Sequence, residues 1–504
     1  MKSTLLKWLF MMKSKLILLL GIVLLTSCGC SGKKDGPAQP VSFKRFADGV
    51  PVRSEILGQD ISLAVLLPAS YVSEPKKRYP VVYCLHGLGD EPASWNDQWL
   101  SVENTVKSLE ASGLEEMIYV FPQGFRTYYV NYYTGKYNYM DFFVNELIPY
   151  VDKTWRTKAD RGHRAVTGYS MGGFGAWVLA GKHPELFIAS APLSMSFRTD
   201  AQYMTESQSG WNDQWGRIFG GVGMAGEARL TNYYKDHCPF YQFIPANKDR
   251  LSQVRWFLTC GDDEEQLLIA NDDLHVQLRD NGYDHEYRVG NGAHTGSYWQ
   301  NALREVLPFF SSCFAGETQW NKTFETPNVV DFTLEPDGAF VSQAFREGKE
   351  GATAIWLCHD GLDQMQVRSI ISILQRGREQ RSFVILPCDL SVKPLDQWKW
   401  NYEAPKQCAV AIGNAGAPVM AASGRFDRLL FEEASLPETY SLRKEAFYYM
   451  GIADTGTHYK EMGGLYKACK AQEMHFEYRV RNGLPDGNTS LLTGMEYLRQ
   501  FIFQ

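Results

Sequence analysis

A serine, a histidine and a cluster of carboxylates stand in this sequence in an arrangement suited to acyl transfer. Gly168-Tyr169-Ser170-Met171-Gly172 fits G-x-S-x-G, in which a sharp strand-to-helix turn lifts a serine oxygen above the end of a sheet. The glycines two residues to either side relieve the crowding of such a turn, and the N-terminus of the following helix favours negative charge beside the serine. Ser170 is the candidate nucleophile, although the pattern alone also fits an ordinary glycine-rich turn. Gly290-Asn291-Gly292-Ala293-His294-Thr295 is a flexible turn presenting a histidine, so His294 is the candidate general base and acid. Between them, Asp262, Asp263, Glu264 and Glu265 follow the apolar run 254–261. An acid that orients the histidine and stabilises its charged form is expected from this cluster, and all four stay open.

The flanking runs supply the elements that would position these groups. Residues 79–85 read as a short buried strand leading into His86-Gly87-Leu88-Gly89-Asp90. On an α/β-hydrolase reading, the Leu88 and Met171 N–H groups are the two oxyanion donors. Residues 117–121 are a further strand, closed by Pro122, and then come Tyr128, Tyr129, Tyr132, Tyr133, Tyr137 and Tyr139. Such rings suit a sugar or aryl ester, and they equally suit packing against the body. His86, Tyr169, Tyr132 and Tyr133 are the candidate substrate contacts. Residues 141–150 and 271–279 have helical spacing, 284–289 read as a strand, and the long aperiodic segment 195–245 reads as a lid or substrate wall.

A chain of 504 residues exceeds what one core usually supports, so two domains are expected. A formal net charge of −6 leaves no basic footprint for nucleic acid. Lys2, Lys7, Lys13 and Lys15 precede a short apolar run, 16–25, that ends in Leu25-Thr26-Ser27-Cys28. This predicts an export signal over 1–27, lipidation at Cys28 and a tether over 28–40. The protein is then exported and lipid-anchored to a bacterial cell envelope. Cys84, Cys260, Cys358 and Cys388 lie in or beside apolar runs and read as buried thiols, and no cysteine–histidine metal spacing occurs.

Taken together, His86-Gly87, Gly168-Tyr169-Ser170-Met171-Gly172, Cys260-Gly261-Asp262-Asp263 and Ala293-His294-Thr295 resemble the esterase D-type family. That family includes feruloyl and acetylxylan esterases, S-formylglutathione hydrolases and mycolyl transferases. The resemblance covers about residues 45 to 312. It implies an α/β-hydrolase fold, with a mostly parallel sheet flanked by helices, and serine ester hydrolysis without cofactor or metal. The family places an aspartate where this chain has Glu264. The implied substrate is a small acyl ester or an acylated glycan bearing acetyl or feruloyl groups. Acyl transfer or thioester hydrolysis on the same residues is an alternative, and a glycan-binding surface lipoprotein is the non-enzymatic one.

The C-terminal part carries an internal repeat. Glu477-Tyr478-Arg479-Val480 repeats Glu286-Tyr287-Arg288-Val289, and Asn482-Gly483 answers Asn291-Gly292. On this spacing Gly413-Asn414-Ala415 stands against Gly168-Tyr169-Ser170, Pro485 against His294, and Asp454, three residues past Gly451, against Glu264, a match that favours Glu264 as the acid, with Asp263, Asp262 and Glu265 as alternatives. The expected organisation is a catalytic domain over 41–314, and a shorter, degenerate and inactive hydrolase-like domain over 315–504 that packs on it.

Overall fold

Val81–Leu85, Ile118–Pro122, Arg164–Tyr169 and Ala189–Leu193 are buried along their whole length, as strands covered by helices on both faces must be. In the computed structural model, residues 44–318, 320, 324 and 330–504 are described. The expected signal, Cys28 and the tether lie outside them. From Arg45 onward the chain forms one unit.

Its first half contributes β1 (Phe46–Ser54), β2 (Gln59–Leu66), β3 (Val81–Leu85), β4 (Ile118–Pro122), β5 (Arg164–Tyr169), β6 (Ala189–Leu193), β7 (Arg255–Gly261) and β8 (Glu286–Gly290). The second half contributes β9 (Phe340–Val341), β10 (Thr353–His359), β11 (Phe383–Asp389), β12 (Lys406–Ile412), β13 (Arg428–Glu432), β14 (Phe447–Ala453) and β15 (His475–Arg481). All fifteen belong to one sheet, in the order β1-β2-β4-β3-β5-β6-β7-β8-β15-β14-β13-β12-β10-β11-β9. The order β2-β4-β3-β5-β6-β7-β8 reappears from the other end as β9-β11-β10-β12-β13-β14-β15. Within each run only the outermost strand, β2 or β9, is antiparallel to its neighbour.

The halves do not sit as one globule on another. They join edge to edge, where β8 runs antiparallel to β15 and Val289 pairs with Val480, its own counterpart in the repeat. Such pairing covers two sheet edges that would otherwise be exposed. On one face a single apolar core runs through both halves, holding Tyr83, Tyr287, Met450 and Tyr478 alike.

Strand register corrects the alignment read from spacing. Gly261 lies opposite Gly290, and Ala453 lies opposite Arg481, the counterpart of Gly290. Asp454 therefore matches Asp262, and Gly456 stands where Glu264 does. Carried across the sheet, Tyr169 matches Ile412, so Gly413 rather than Ala415 occupies the place of Ser170. Spacing slips by two residues because Gly451 and Gly413 are the nearest glycines to match Gly261 and Gly168, whereas ladder pairing fixes register independently of residue type.

Candidate active site

Strand β5 ends in a turn that only a closely packed glycine sequence allows. A Cβ on Gly172 would lie 2.0 Å from the Leu85 carbonyl oxygen, and one on Gly168 would lie 2.3 Å from the Gly172 oxygen. The helix Met171–Lys182 thus starts hard against the end of β3. Ser170 is forced into the left-handed region, with φ 58° and ψ −119°. Its N–H donates to the Leu193 oxygen at 3.0 Å, and its own oxygen accepts the Ser196 N–H at 3.0 Å. The serine is half-buried, and among the described residues its Oγ has no hydrogen-bond partner. The Leu88 and Met171 N–H groups likewise have no acceptor among the described residues, so two donors flank the turn.

Among the described side chains of the acid cluster, that of Glu264 reaches the histidine. His294 Nδ1 is 2.8 Å from Glu264 Oε2, and the Glu264 side chain is fully buried while that of His294 is 37% exposed. Glu264 Oε1 accepts the Gly261 N–H at 2.9 Å and also the Ser194 hydroxyl. With Nδ1 engaged, Nε2 is the nitrogen left for a serine proton. Asp262 is buried but faces Gly292 and the second half of the chain. Asp263 is exposed, with its carboxyl raised by partial burial and by Asp262. Glu265 opens the helix Glu265–Asp280.

Two supporting residues carry no motif and escaped the sequence reading. Trp299 donates Nε1–H to Ser194 Oγ at 2.8 Å. Its indole stacks on Tyr169 at 4.3 Å and stands edge-on to His294 at 4.9 Å, which ties the histidine loop to the elbow. Ser194 itself has φ 46°. Neither signal exists in a one-dimensional sequence, since both depend on which strand lies beside β5.

His86 and Tyr169 are not substrate contacts. His86 is fully buried, with Nδ1 2.8 Å from the Gly87 oxygen and Nε2 accepting the Gly124 N–H at 2.8 Å, and burial lowers its pKa. Tyr169 is buried against Trp299 and donates its hydroxyl to Asp90 at 2.8 Å. Both hold the loop that carries Leu88. Tyr132 and Tyr133, by contrast, line an open cleft of about 770 Å³ together with Phe125, Tyr137, Arg126 and Arg217. Tyr128, Tyr129 and Tyr139 are core residues, so the tyrosine-rich stretch divides between the two roles. The segment 195–245 is a wall of short helices with buried aromatic rings of its own, and its Arg217 and Val222 face the cleft. Among the described residues no cluster of three or more His, Cys, Asp or Glu is arranged to hold a metal ion.

A mostly parallel sheet, a serine at a positive-φ strand-to-helix turn, and an acid–histidine pair on the loops after β7 and β8 define an α/β-hydrolase. The chain belongs to the family described as "Putative esterase", whose model matches residues 54–310. It is 34% identical over 141 residues to an endo-1,4-beta-xylanase/feruloyl esterase of Xylanibacter ruminicola, covering 27% of this chain and 19% of that protein. It is 30% identical over 143 residues to an esterase of Mycobacterium tuberculosis, covering 28% of this chain and 30% of that one. The chain thus spans under a third of the length of these curated relatives. A solved ferulic acid esterase is 29% identical, with a TM-score of 0.44, covering 53% of this chain and 98% of its own.

Proposed function

We propose that the chain is a carboxylic ester hydrolase in which Ser170 is the nucleophile, His294 the base and acid and Glu264 the orienting carboxylate. The observation that carries this reading is the 2.8 Å contact of His294 Nδ1 with a fully buried Glu264, on loops tied by Trp299 to the serine elbow. Ser170 Oγ attacks the ester carbonyl as its proton passes to His294 Nε2. The oxyanion is held by the Leu88 and Met171 N–H groups. Collapse returns the proton to the departing alcohol, and water repeats the sequence on the acyl-enzyme.

The aromatic cleft beside Gly89 and Asp90 suits the flat faces of a sugar or an aryl acyl group, and one curated relative is named for xylanase and feruloyl esterase activities. The proposed substrate is an acetylated or feruloylated glycan. Release of acetate or ferulate from such oligosaccharides by wild type, absent in Ser170→Ala, is expected. Equal release by both proteins would overturn the mechanism.

Residues 315–504 are proposed to be a degenerate, inactive counterpart of the first half. Gly413, Gly456 and Pro485 at the positions of Ser170, Glu264 and His294 support this. The N-terminal pattern around Cys28 supports export and lipid anchoring. Incorporation of labelled palmitate that survives Cys28→Ser would contradict the anchor.

A further inference from the structure

We propose that the second half holds the acid and base loops of the first in register through Arg479, a positioning residue for the Glu264–His294 pair. This rests on the catalytic reading above. Asp262 is the junction. Its Oδ1 accepts the Gly292 N–H at 3.1 Å, and its Oδ2 accepts the Tyr478 N–H at 3.4 Å together with the Arg479 guanidinium. One carboxylate thereby joins the loop after β7, the loop after β8 and strand β15. The two loops are laced further by Asp262 N–H to the Gly290 oxygen and Asp263 N–H to the Gly292 oxygen, both at 3.0 Å. Glu264 lies two residues beyond Asp262, and His294 two residues beyond Gly292.

Arg479 is itself immobilised by Glu477, by the Tyr478 oxygen at 2.8 Å and by the Phe501 ring, 5.0 Å from its guanidinium carbon. Arg479 and Asp262 are both buried. Removing one partner of a buried pair leaves the other charge without its counter-ion, so the loops must shift to solvate it. A displacement of about 1 Å at reacting groups is enough to cost on the order of 10²-fold in rate.

The same contact occurs twice, as an isologous interface requires. Arg288 of β8 reaches Asp454 at 2.5 Å, Tyr287 N–H donates to Asp454 at 3.2 Å, and Gly483 N–H donates to it at 2.7 Å. This mirror pair fastens the same two edges with the same chemistry. The loop it holds leads to Gly456 and Pro485 instead of an acid and a base. Asp454 is thus a control that binds β8 along the strand and, among the described residues, makes no bond to the Asp262–Glu264 or Gly292–His294 loops.

The experiment compares Asp262→Asn, Arg479→Met and Asp454→Asn in the full chain. Each is assayed for melting temperature and for kcat and KM on 4-nitrophenyl acetate, at a temperature where all are folded. Asp262→Asn and Arg479→Met should lower kcat by about 10- to 100-fold with KM within about twofold. Asp454→Asn should lose a comparable melting temperature while keeping kcat within about twofold. If Arg479→Met does not fold, Arg479→Lys is read in its place. It keeps a charge on Asp262, and a kcat between those of wild type and Asp262→Asn is expected. Equal kcat losses at Asp454 and Asp262, or none at Asp262, would overturn the proposal. Failure of a fluorophosphonate probe to label wild-type Ser170 would instead overturn the catalytic reading beneath it.

Discussion

Ser170 and Gly413 follow corresponding strand ends, β5 and β12, in the two halves of one sheet. Their φ values are 58° and 61°, and their carbonyl oxygens accept the N–H groups of Ser196 and Ser435, each at 3.0 Å. The difference lies in what faces them. Asn414 N–H, the counterpart of the Met171 donor, is bound at 3.0 Å by Asp360, whose other oxygen accepts from the Asn414 side chain at 2.7 Å. A carboxylate thus stands where an oxyanion would have to form. Restoring the serine alone should therefore restore nothing. The double variant Ser170→Ala/Gly413→Ser is expected to remain unlabelled by a fluorophosphonate probe, and labelling at position 413 would show that the second half retains more machinery than its residues indicate.

The acid is the point at which Glu264, bonded to His294, is separated by geometry from Asp262 and Asp263. Glu264→Gln should cost about 10³-fold in kcat, because an amide favours the wrong histidine tautomer and cannot stabilise the imidazolium. Asp263→Asn, on an exposed side chain that does not touch His294, should leave kcat within about twofold. Kinetics on a simple aryl acetate would check both, and the reverse ranking would move the acid to Asp263.

Glu432 gives a pH dependence that belongs to the fold. Burial raises its carboxyl from 4.5 to about 7, against the opposing pull of Arg481. A carboxyl whose folded pKa is raised favours folding while protonated, so this contribution is present below about pH 4.5 and is lost as pH rises towards 7. Glu432→Gln should flatten that part of the stability profile, with Arg481 still held by Glu433 at 3.0 Å. Denaturant melts at pH 5 and pH 8 would check it, and an unchanged slope would contradict it.

Much of the site is legible in the sequence. Ser170 and His294 sit in turns that glycine spacing marks, and the strands around them are continuous apolar runs that a parallel sheet requires. The match with Asp454 favours Glu264 only through a slipped register, and the choice among the acids depends on how two loops meet across β7 and β8. His86 and Tyr169 looked like pocket residues because polar aromatics beside a nucleophile serve substrate binding and loop support alike, and only burial separates these uses. The repeat was visible in Glu-Tyr-Arg-Val. That it closes a single sheet through Val289 and Val480 follows from edge pairing, which leaves no trace in local pattern.

The most direct test of the Ser170–His294–Glu264 account is fluorophosphonate labelling of the purified protein, with the modified residue located by peptide mass spectrometry. One adduct on Ser170 in wild type is expected, lost in Ser170→Ala and slowed by orders of magnitude in His294→Ala and Glu264→Gln. An adduct elsewhere, or undiminished labelling without His294, would contradict the account.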